Sequence, residues 1–179
     1  MIKNPSDFEK LFIEKFGDIS RTTLGSLVEN KLRFELGGEE AGSVRINQAL
    51  DRSSQILKYC FDGLSIWLRV ILWDKESEVD LRNSGMHIET ANNNFKSKDE
   101  EEVMYLYFNK YSQAIVTPFI TSIINYEMAE EPCANITCYF IDFERCIIIN
   151  VYDDRGMDVY SLNKNIIRDL SDKFYTWLI

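Results

Sequence analysis

The chain has 179 residues, 45% of them apolar and 13% aromatic, which is enough for one buried core and excludes a disordered acidic segment. Its formal net charge is −9, from 20 Lys and Arg against 29 Asp and Glu, and such a negative field repels nucleic-acid phosphates. The first 60 residues are balanced, so the whole excess falls on residues 61–179. We expect a single domain, residues 1–179, that does not bind nucleic acid and favours a basic protein partner.

The N-terminal part of the chain predicts two helices and two strands. The run Ser-Asp-Phe-Glu at residues 6–9 is typical of a capping box and begins an amphipathic helix that ends at Gly17. Residues 31–36 alternate between apolar and polar, which predicts a strand with one buried face. Residues 44–61 carry an apolar stripe at helical spacing, and the apolar run at 64–73 predicts a central strand that is covered on both faces.

The middle of the chain is less regular. Residues 74–102 show no sustained periodicity, which predicts a long irregular loop, and loops of this length in compact domains often carry function. We therefore expect this loop to hold a partner surface; the alternative is a helix within the segment. Residues 103–108 predict a strand. An apolar helix follows and runs to Met128; because proline inside a helix costs about 3 kcal/mol, Pro118 predicts either a start at Thr117 or a kink.

Two C-terminal segments predict an antiparallel hairpin. Residues 135–142 and 145–152 are rich in β-branched side chains and are joined at positions 143–144. Pairing Asp142 with Arg145 sets the expected register. A third strand at 157–161 should follow.

The last predicted element is a helix that Asn163 caps and that carries apolar residues on one face as far as position 177. Together the elements predict an α+β fold, with a mainly antiparallel sheet of five to six strands and about four helices packed on it.

Most familiar catalytic patterns are absent from the sequence. His87 is the single histidine, no nucleophile elbow is present, and the four cysteines contain no C-x-x-C pair. We expect reduced thiols, no cofactor, no metal ion and no enzymatic activity. The N-terminus lacks the pattern of a signal peptide, and the wholly apolar runs are far shorter than the roughly 20 residues of a membrane span, so we expect a cytoplasmic protein without membrane contact.

Asp153, Asp154 and Asp158 form the one acidic group that resembles a metal site, because convergent carboxylates bind divalent cations. The structural alternative is a three-residue hairpin loop. In that interpretation a type I turn runs through Asp154 and Arg155, Gly156 is left-handed, and Asp153 accepts hydrogen bonds from the amides of the turn. Arg155 would supply a counter-charge.

The remaining acidic residues fall into three runs in one half of the chain. Acidic clusters increase the rate of association with basic proteins and help to set the register of the complex. We therefore predict that these runs bind the partner; they comprise Asp74, Glu76, Glu78, Asp80, Asp99, Glu100, Glu101, Glu102, Glu127, Glu130 and Glu131.

The segment Tyr152-Asp153-Asp154-Arg155-Gly156-Met157-Asp158-Val159, which follows a strand and precedes a helix, resembles the signature of an uncharacterised bacterial domain family known as a domain of unknown function. Residues 32–37 and a helix that carries Ala49 and Arg52 fit the same family, so the resemblance covers most of the chain. It implies no catalytic residues. It does imply an association with contact-dependent inhibition and polymorphic toxin loci, near which stand-alone members lie.

These observations favour an immunity protein that binds a cognate, basic, nuclease-type toxin and occludes its active or substrate-binding surface. Carboxylates would pair with toxin Lys and Arg around aromatic anchors such as Tyr105, Tyr107 or Tyr126. The free protein would be a monomer or a weak dimer. Two alternatives stay open: a divalent-metal-dependent hydrolase that uses the Asp153, Asp154 and Asp158 loop, and a non-catalytic regulatory domain.

Overall fold

A computed structural model describes residues 2–17, 24, 27, 29–38, 41–98 and 101–179. Within these ranges seven antiparallel strands form one sheet in the order β1-β7-β6-β5-β2-β4-β3. The strands are β1 (Lys31–Glu35), β2 (Ile66–Leu72), β3 (Asn93–Lys98), β4 (Glu102–Phe108), β5 (Ile136–Asp142), β6 (Ile147–Val151) and β7 (Gly156–Ser161). The α-helices are α1 (Pro5–Phe16), α2 (Gly42–Phe61), α3 (Ser77–Asn83), α4 (Gln113–Met128) and α5 (Lys164–Lys173).

The predicted α+β class is confirmed, with slightly more strands and helices than expected. Side chains that alternate along β2 point to two separate apolar cores. Leu68 and Val70 join the larger core, which contains buried residues of α2, α3, α4 and α5. Ile71 joins the smaller core, where α1 contributes three buried phenylalanines. The prediction of an interior strand is therefore confirmed for β2, which pairs with β4 on one side and β5 on the other.

The prediction of an irregular loop at 74–102 is wrong. The segment contains α3, a short 3-10 helix (Ile88–Thr90) and the edge strand β3. The sequence of β3, Asn-Asn-Phe-Lys-Ser-Lys, carries one large apolar side chain because an edge strand pairs on one side only and remains largely solvated. Such a strand has little of the apolar alternation that identifies strands in a sequence.

Of the two predicted alternatives for α4, the start at Thr117 is wrong, because the helix begins four residues earlier at Gln113 and Pro118 lies inside it. The proline costs one backbone hydrogen bond. Its ring is buried together with Val116 and Phe119, and this apolar burial offsets the loss.

Two local predictions needed correction at turns and caps. The β5–β6 register pairs Asp142 with Ile147 and not with Arg145, because residues 143–146 form a longer turn. The Asp142 carboxylate accepts hydrogen bonds from the amides of Glu144 (2.8 Å) and Arg145 (3.0 Å), which stabilises that turn.

The first helix is capped by Asn4, whose side chain accepts from the Asp7 amide, and not by Ser6. Proline at the first helical position explains the earlier start. The predicted cap of α5 by Asn163 is confirmed, since its side chain accepts from the Asn165 amide.

No helix in the described ranges is both long enough and apolar enough to cross a membrane. All four cysteines are free thiols; Cys60 and Cys138 are buried, whereas Cys133 and Cys146 are half-buried.

Candidate functional site

One end of the sheet collects the connections in which the predicted acidic runs lie. Leu72, the last residue of β2, pairs with Glu102 at the start of β4 and with Ile136 at the start of β5. At the same end Val151, which finishes β6, pairs with Met157 near the start of β7. The connections that follow β2 and β6, and those that precede β4 and β5, therefore all emerge at this end.

The three predicted acidic runs lie in these connections and beside them. Asp99 and Glu100 fall outside the described residues. We call the end of the sheet that carries the other nine the acidic end; these residues are Asp74, Glu76, Glu78, Asp80, Glu101, Glu102, Glu127, Glu130 and Glu131.

Direct contacts join the acidic runs to one another. The hydroxyl of Ser77 at the start of α3 donates to the carbonyl oxygen of Asn135 (2.8 Å), which ties residues 74–80 to the loop that contains Glu131. Lys96 of β3 pairs with Glu78, and its Nζ atom lies 3.9 Å from Oε1 of Glu102. The tertiary structure thus brings together runs that are separated by up to 57 residues in the chain.

Two of the predicted carboxylates have clear structural partners. The Asp74 carboxylate accepts from the hydroxyl (2.6 Å) and the amide (2.8 Å) of Ser77, and the hydroxyl bond lowers the pKa of Asp74. The hydrogen bond from Lys96 lowers the pKa of Glu78, which also accepts from Arg82 at 3.3 Å. These groups shape the acidic end and are less available to a partner.

Other carboxylates remain available at the surface. Glu76, Glu101 and Glu130 are exposed and form no ion pair with any residue in the described ranges. Glu127 is also exposed; the pKa of Arg155 is raised mainly by a hydrogen bond to Asp153, and the negative charge of Glu127 adds to that effect. Glu131 accepts from the amide of Cys133 at 3.1 Å.

Exposed apolar side chains accompany the carboxylates. Trp73 follows β2 directly and is 51% exposed, and its indole N–H donates to the hydroxyl of Thr137 (3.0 Å), which orients the ring. Val79 on α3 and Tyr126 on α4 are exposed as well. The predicted strand at 64–73 included Trp73, but β2 ends at Leu72; the dense charge that begins at Asp74 was the signal that the strand had already ended.

Of the three predicted aromatic anchors, Tyr126 is exposed at the acidic end. Tyr105 is buried, its hydroxyl donates to Glu9 at 2.7 Å, and its desolvation raises its pKa, so this residue does not present an anchor. Tyr107 is half-buried near the other end of β4.

The Tyr-Asp-Asp-Arg-Gly segment forms the β6–β7 turn at the acidic end. As predicted, Asp153 accepts from the amides of Arg155 (2.7 Å) and Gly156 (3.2 Å). The guanidinium of Arg155 also hydrogen-bonds to Asp153, and this raises the pKa of Arg155. The prediction of a left-handed Gly156 is wrong. Glycine is required because a Cβ there would meet the Tyr152 hydroxyl and lie 2.8 Å from the Phe34 carbonyl oxygen.

Asp154 joins this turn to the connection between β1 and α2. Its carboxylate pairs with Arg45 on α2, and its carbonyl oxygen accepts from the amide of Gly37 at 2.7 Å. The Arg45 guanidinium also donates to the carbonyl oxygen of Gly38 (3.0 Å). The motif turn and the start of α2 are therefore held in one arrangement.

Asp158 pairs with Arg33 across the β7–β1 strand pair. Two parallel hydrogen bonds of 2.9 and 3.0 Å connect the two side chains, and this bonding raises the pKa of Arg33. The guanidinium also lies over the ring of Tyr152, 5.4 Å from its centroid.

The three motif aspartates thus bind three different arginines. They do not converge on one point, and the described residues contain no group of three or more His, Cys, Asp or Glu side chains that could hold a metal ion. Paired charges in this geometry stabilise the turn and the edge of the sheet.

The fold and the acidic end define an acidic α+β protein that is built, across its described ranges, on a single antiparallel sheet. A family model described as "Domain of unknown function (DUF3885)" matches residues 8–179, and the chain belongs to this family. No curated protein and no solved structure matches the chain significantly.

Proposed function

We propose that the protein is a cytoplasmic immunity protein that binds a cognate, basic bacterial toxin and occludes its active or substrate-binding surface. A nuclease domain of a contact-dependent inhibition system has the required chemistry, because its Lys and Arg side chains must bind nucleic-acid phosphates. The observation that carries the proposal is the gathering of the acidic runs at one end of the sheet.

The exposed carboxylates account for attraction and orientation. Glu76, Glu101 and Glu130 lack cation partners within the described ranges, so a basic toxin would not have to displace an existing ion pair to reach them. Complementary charge of this kind raises association rates and suppresses wrong partners, and its effect falls with ionic strength.

Apolar anchors account for the strength of the complex. Interface energy concentrates in a few large side chains, among which Trp, Tyr and Arg are enriched. Trp73 and Tyr126 are exposed beside the carboxylates, and hydrogen bonding to Thr137 restrains the Trp73 ring before any partner arrives. A restrained ring loses less conformational freedom on binding.

Purification with the toxin domain encoded beside this gene tests the proposal. We expect a stable complex on size-exclusion chromatography, inhibition of the toxin's nuclease activity at equimolar protein, and survival of cells that express the toxin. The absence of a complex together with the absence of protection would disprove the proposal.

A matched pair of charge reversals tests which surface binds. The variant Glu76→Lys/Glu130→Lys changes the acidic end, and Asp62→Lys/Glu144→Lys makes the same charge change at exposed residues of the opposite end. We expect the first variant to slow association about tenfold at low salt and the second to have a much smaller effect. Equal effects of the two variants would show that net charge acts without a defined surface.

A further inference from the structure

A cleft of about 750 Å³ opens at the end of the sheet opposite the acidic end, on the face that α1 covers. It lies between the sheet, residues Ile2 and Lys3 of the N-terminal segment, and Leu11 of α1. Volumes of roughly 300–1,000 Å³ are typical of pockets that bind small molecules.

The floor of the cleft is one row of side chains from four adjacent strands. Asn93, Tyr107, Trp67 and Ile141 occupy directly opposed positions on β3, β4, β2 and β5. The rings of Trp67 and Tyr107 lie side by side, with centroids 4.9 Å apart and planes inclined by 37°. Phe8 of α1 contacts the Trp67 ring edge-on at 5.4 Å and supports it from the core.

Helix α1 leaves this row open because its polar contact falls on the next row. Glu9 accepts from Arg69 (2.8 Å) and from Tyr105 (2.7 Å), which are paired residues of β2 and β4. Trp67 and Tyr107 form the pair two positions nearer the open end of the sheet, and both are only half-buried.

The two aromatic residues also carry unused polar groups. Neither the indole N–H of Trp67 nor the hydroxyl of Tyr107 has a hydrogen-bond partner in the part of the chain that the structure describes. Because no buried side-chain nitrogen or oxygen in the described residues lacks a partner, both groups are open to solvent. An acceptor on a bound molecule can therefore reach them and take the place of water.

The charges around the cleft favour a neutral ligand. Lys3 and Glu144 lie on its lining with opposite signs. Asp142, which also lines the cleft, is already bonded to the amides of its own turn and to the guanidinium of Arg145 at 2.6 Å. The lining therefore carries no excess of either charge that would favour an anion or a cation over a neutral ligand.

We propose that this cleft binds a small, neutral, planar heteroaromatic molecule that packs against Trp67 and Tyr107 and accepts a hydrogen bond from one or both of them. The proposal is independent of the acidic end and of toxin binding. In this proposal the rings of Trp67 and Tyr107 bind a ligand, in addition to any packing that they provide within the core.

Caffeine is a suitable probe because it is neutral, planar and rich in acceptors. The side-chain N–H signals of the three tryptophans, Trp67, Trp73 and Trp177, report on three separate places in ¹⁵N-labelled protein. We expect caffeine to shift the Trp67 signal saturably and to leave the other two in place. Cyclohexanone, an acceptor without an aromatic face, and benzoate, an aromatic anion, should bind about tenfold more weakly or not at all.

Variants separate the contributions to binding. Tyr107→Phe keeps the ring and removes the hydroxyl, so it should weaken caffeine binding about fivefold. Ser65→Phe places a ring in the cleft from its lining and should abolish binding while both aromatic residues, Trp67 and Tyr107, keep their identity. Tyr175→Phe makes the same change at a tyrosine that is 71% exposed and does not line the cleft, so it serves as the control and should bind caffeine normally. The melting temperature of each variant shows whether it has folded.

Three outcomes would overturn the proposal. One is the lack of a saturable Trp67 shift up to about 10 mM caffeine. Another is an equal shift of all three indole signals, which would indicate nonspecific contact. The third is a Trp67 shift on addition of a protein partner but not of caffeine, which would assign the cleft to a side chain of that partner.

Discussion

Arg33 of β1 and Asp158 of β7 are separated by 125 positions in the chain and face each other directly across two neighbouring strands. Their side chains share two hydrogen bonds, and Asp158 is 1% exposed whereas the Arg33 side chain is 37% exposed. A buried carboxylate with a cation on its solvent side is stabilised by that cation, and it becomes costly when the cation is removed.

Arg33→Met should therefore destabilise the fold by about 2–3 kcal/mol, because it leaves a buried carboxylate unpaired while access of water to the site moderates the loss. Urea unfolding measures the change. Arg168→Met is the control, since Arg168 forms an exposed pair with Asp169 at 3.6 Å and should lose no more than about 0.5 kcal/mol. Similar losses in both variants would contradict the structural role assigned to Arg33.

Gly156→Ala should destabilise the protein by about 2 kcal/mol, because the added methyl group meets the Tyr152 hydroxyl and the Phe34 carbonyl oxygen. Adding Tyr152→Phe to this variant removes the closest of the clashing atoms, the hydroxyl oxygen, and should restore part of the stability. Thermal unfolding of the single and double variants measures the effect. If the double variant loses more stability than the two single variants lose together, Tyr152 is not the obstructing group.

Asp74→Ala should cost about 1 kcal/mol at pH 7, because it removes the acceptor for the amide and hydroxyl of Ser77 at the start of α3. The pKa of Asp74 is lowered from its ordinary value of 3.8, so this stabilisation is complete above that pH and is lost as the pH falls through the lower folded pKa. Melting temperatures of wild type and variant should differ by a constant amount above pH 5 or so and converge in stronger acid. A difference that persists in strong acid would mean that ionisation of Asp74 is irrelevant.

Divalent cations test the alternative hypothesis of a metal-dependent hydrolase. We expect about 10 mM Mg²⁺, Mn²⁺ or Ca²⁺ to leave the melting temperature within about 1 °C of its metal-free value, because Asp153, Asp154 and Asp158 are each bonded to a different arginine. A larger increase that Asp154→Asn abolishes would support metal binding at the motif turn and contradict this assignment.

Short-range features of the fold were predictable from the sequence. The strand at 103–108, the cap at Asn163 and the amide-accepting role of Asp153 depend on residues a few positions apart, whose periodicity and hydrogen bonding are visible in the sequence. The polar edge strand β3 was missed because it lacks apolar alternation. The hairpin register was missed because the carboxylate of Asp142 stabilises a longer turn.

The candidate site also combines features that the sequence predicts with features that depend on long-range contacts. The sequence identified the acidic runs and the motif, but Tyr105 was wrongly chosen as an anchor and Trp73 was overlooked, because exposure depends on where a strand ends and on what packs over it. The arginines that pair with Asp154 and Asp158 could not be predicted from the sequence either. Arg33 and Arg45 lie more than 100 positions upstream of the residues they bind.

By itself, the sequence determined the class of the fold, most of its elements and the excess of negative charge after residue 60. Only the tertiary structure decided that the described residues of the acidic runs meet at one end of the sheet, and that an open aromatic cleft lies at the other. The physical reason is that local hydrogen bonds and apolar periodicity act between near neighbours, whereas an antiparallel sheet places distant connections together according to strand order, which no local pattern encodes.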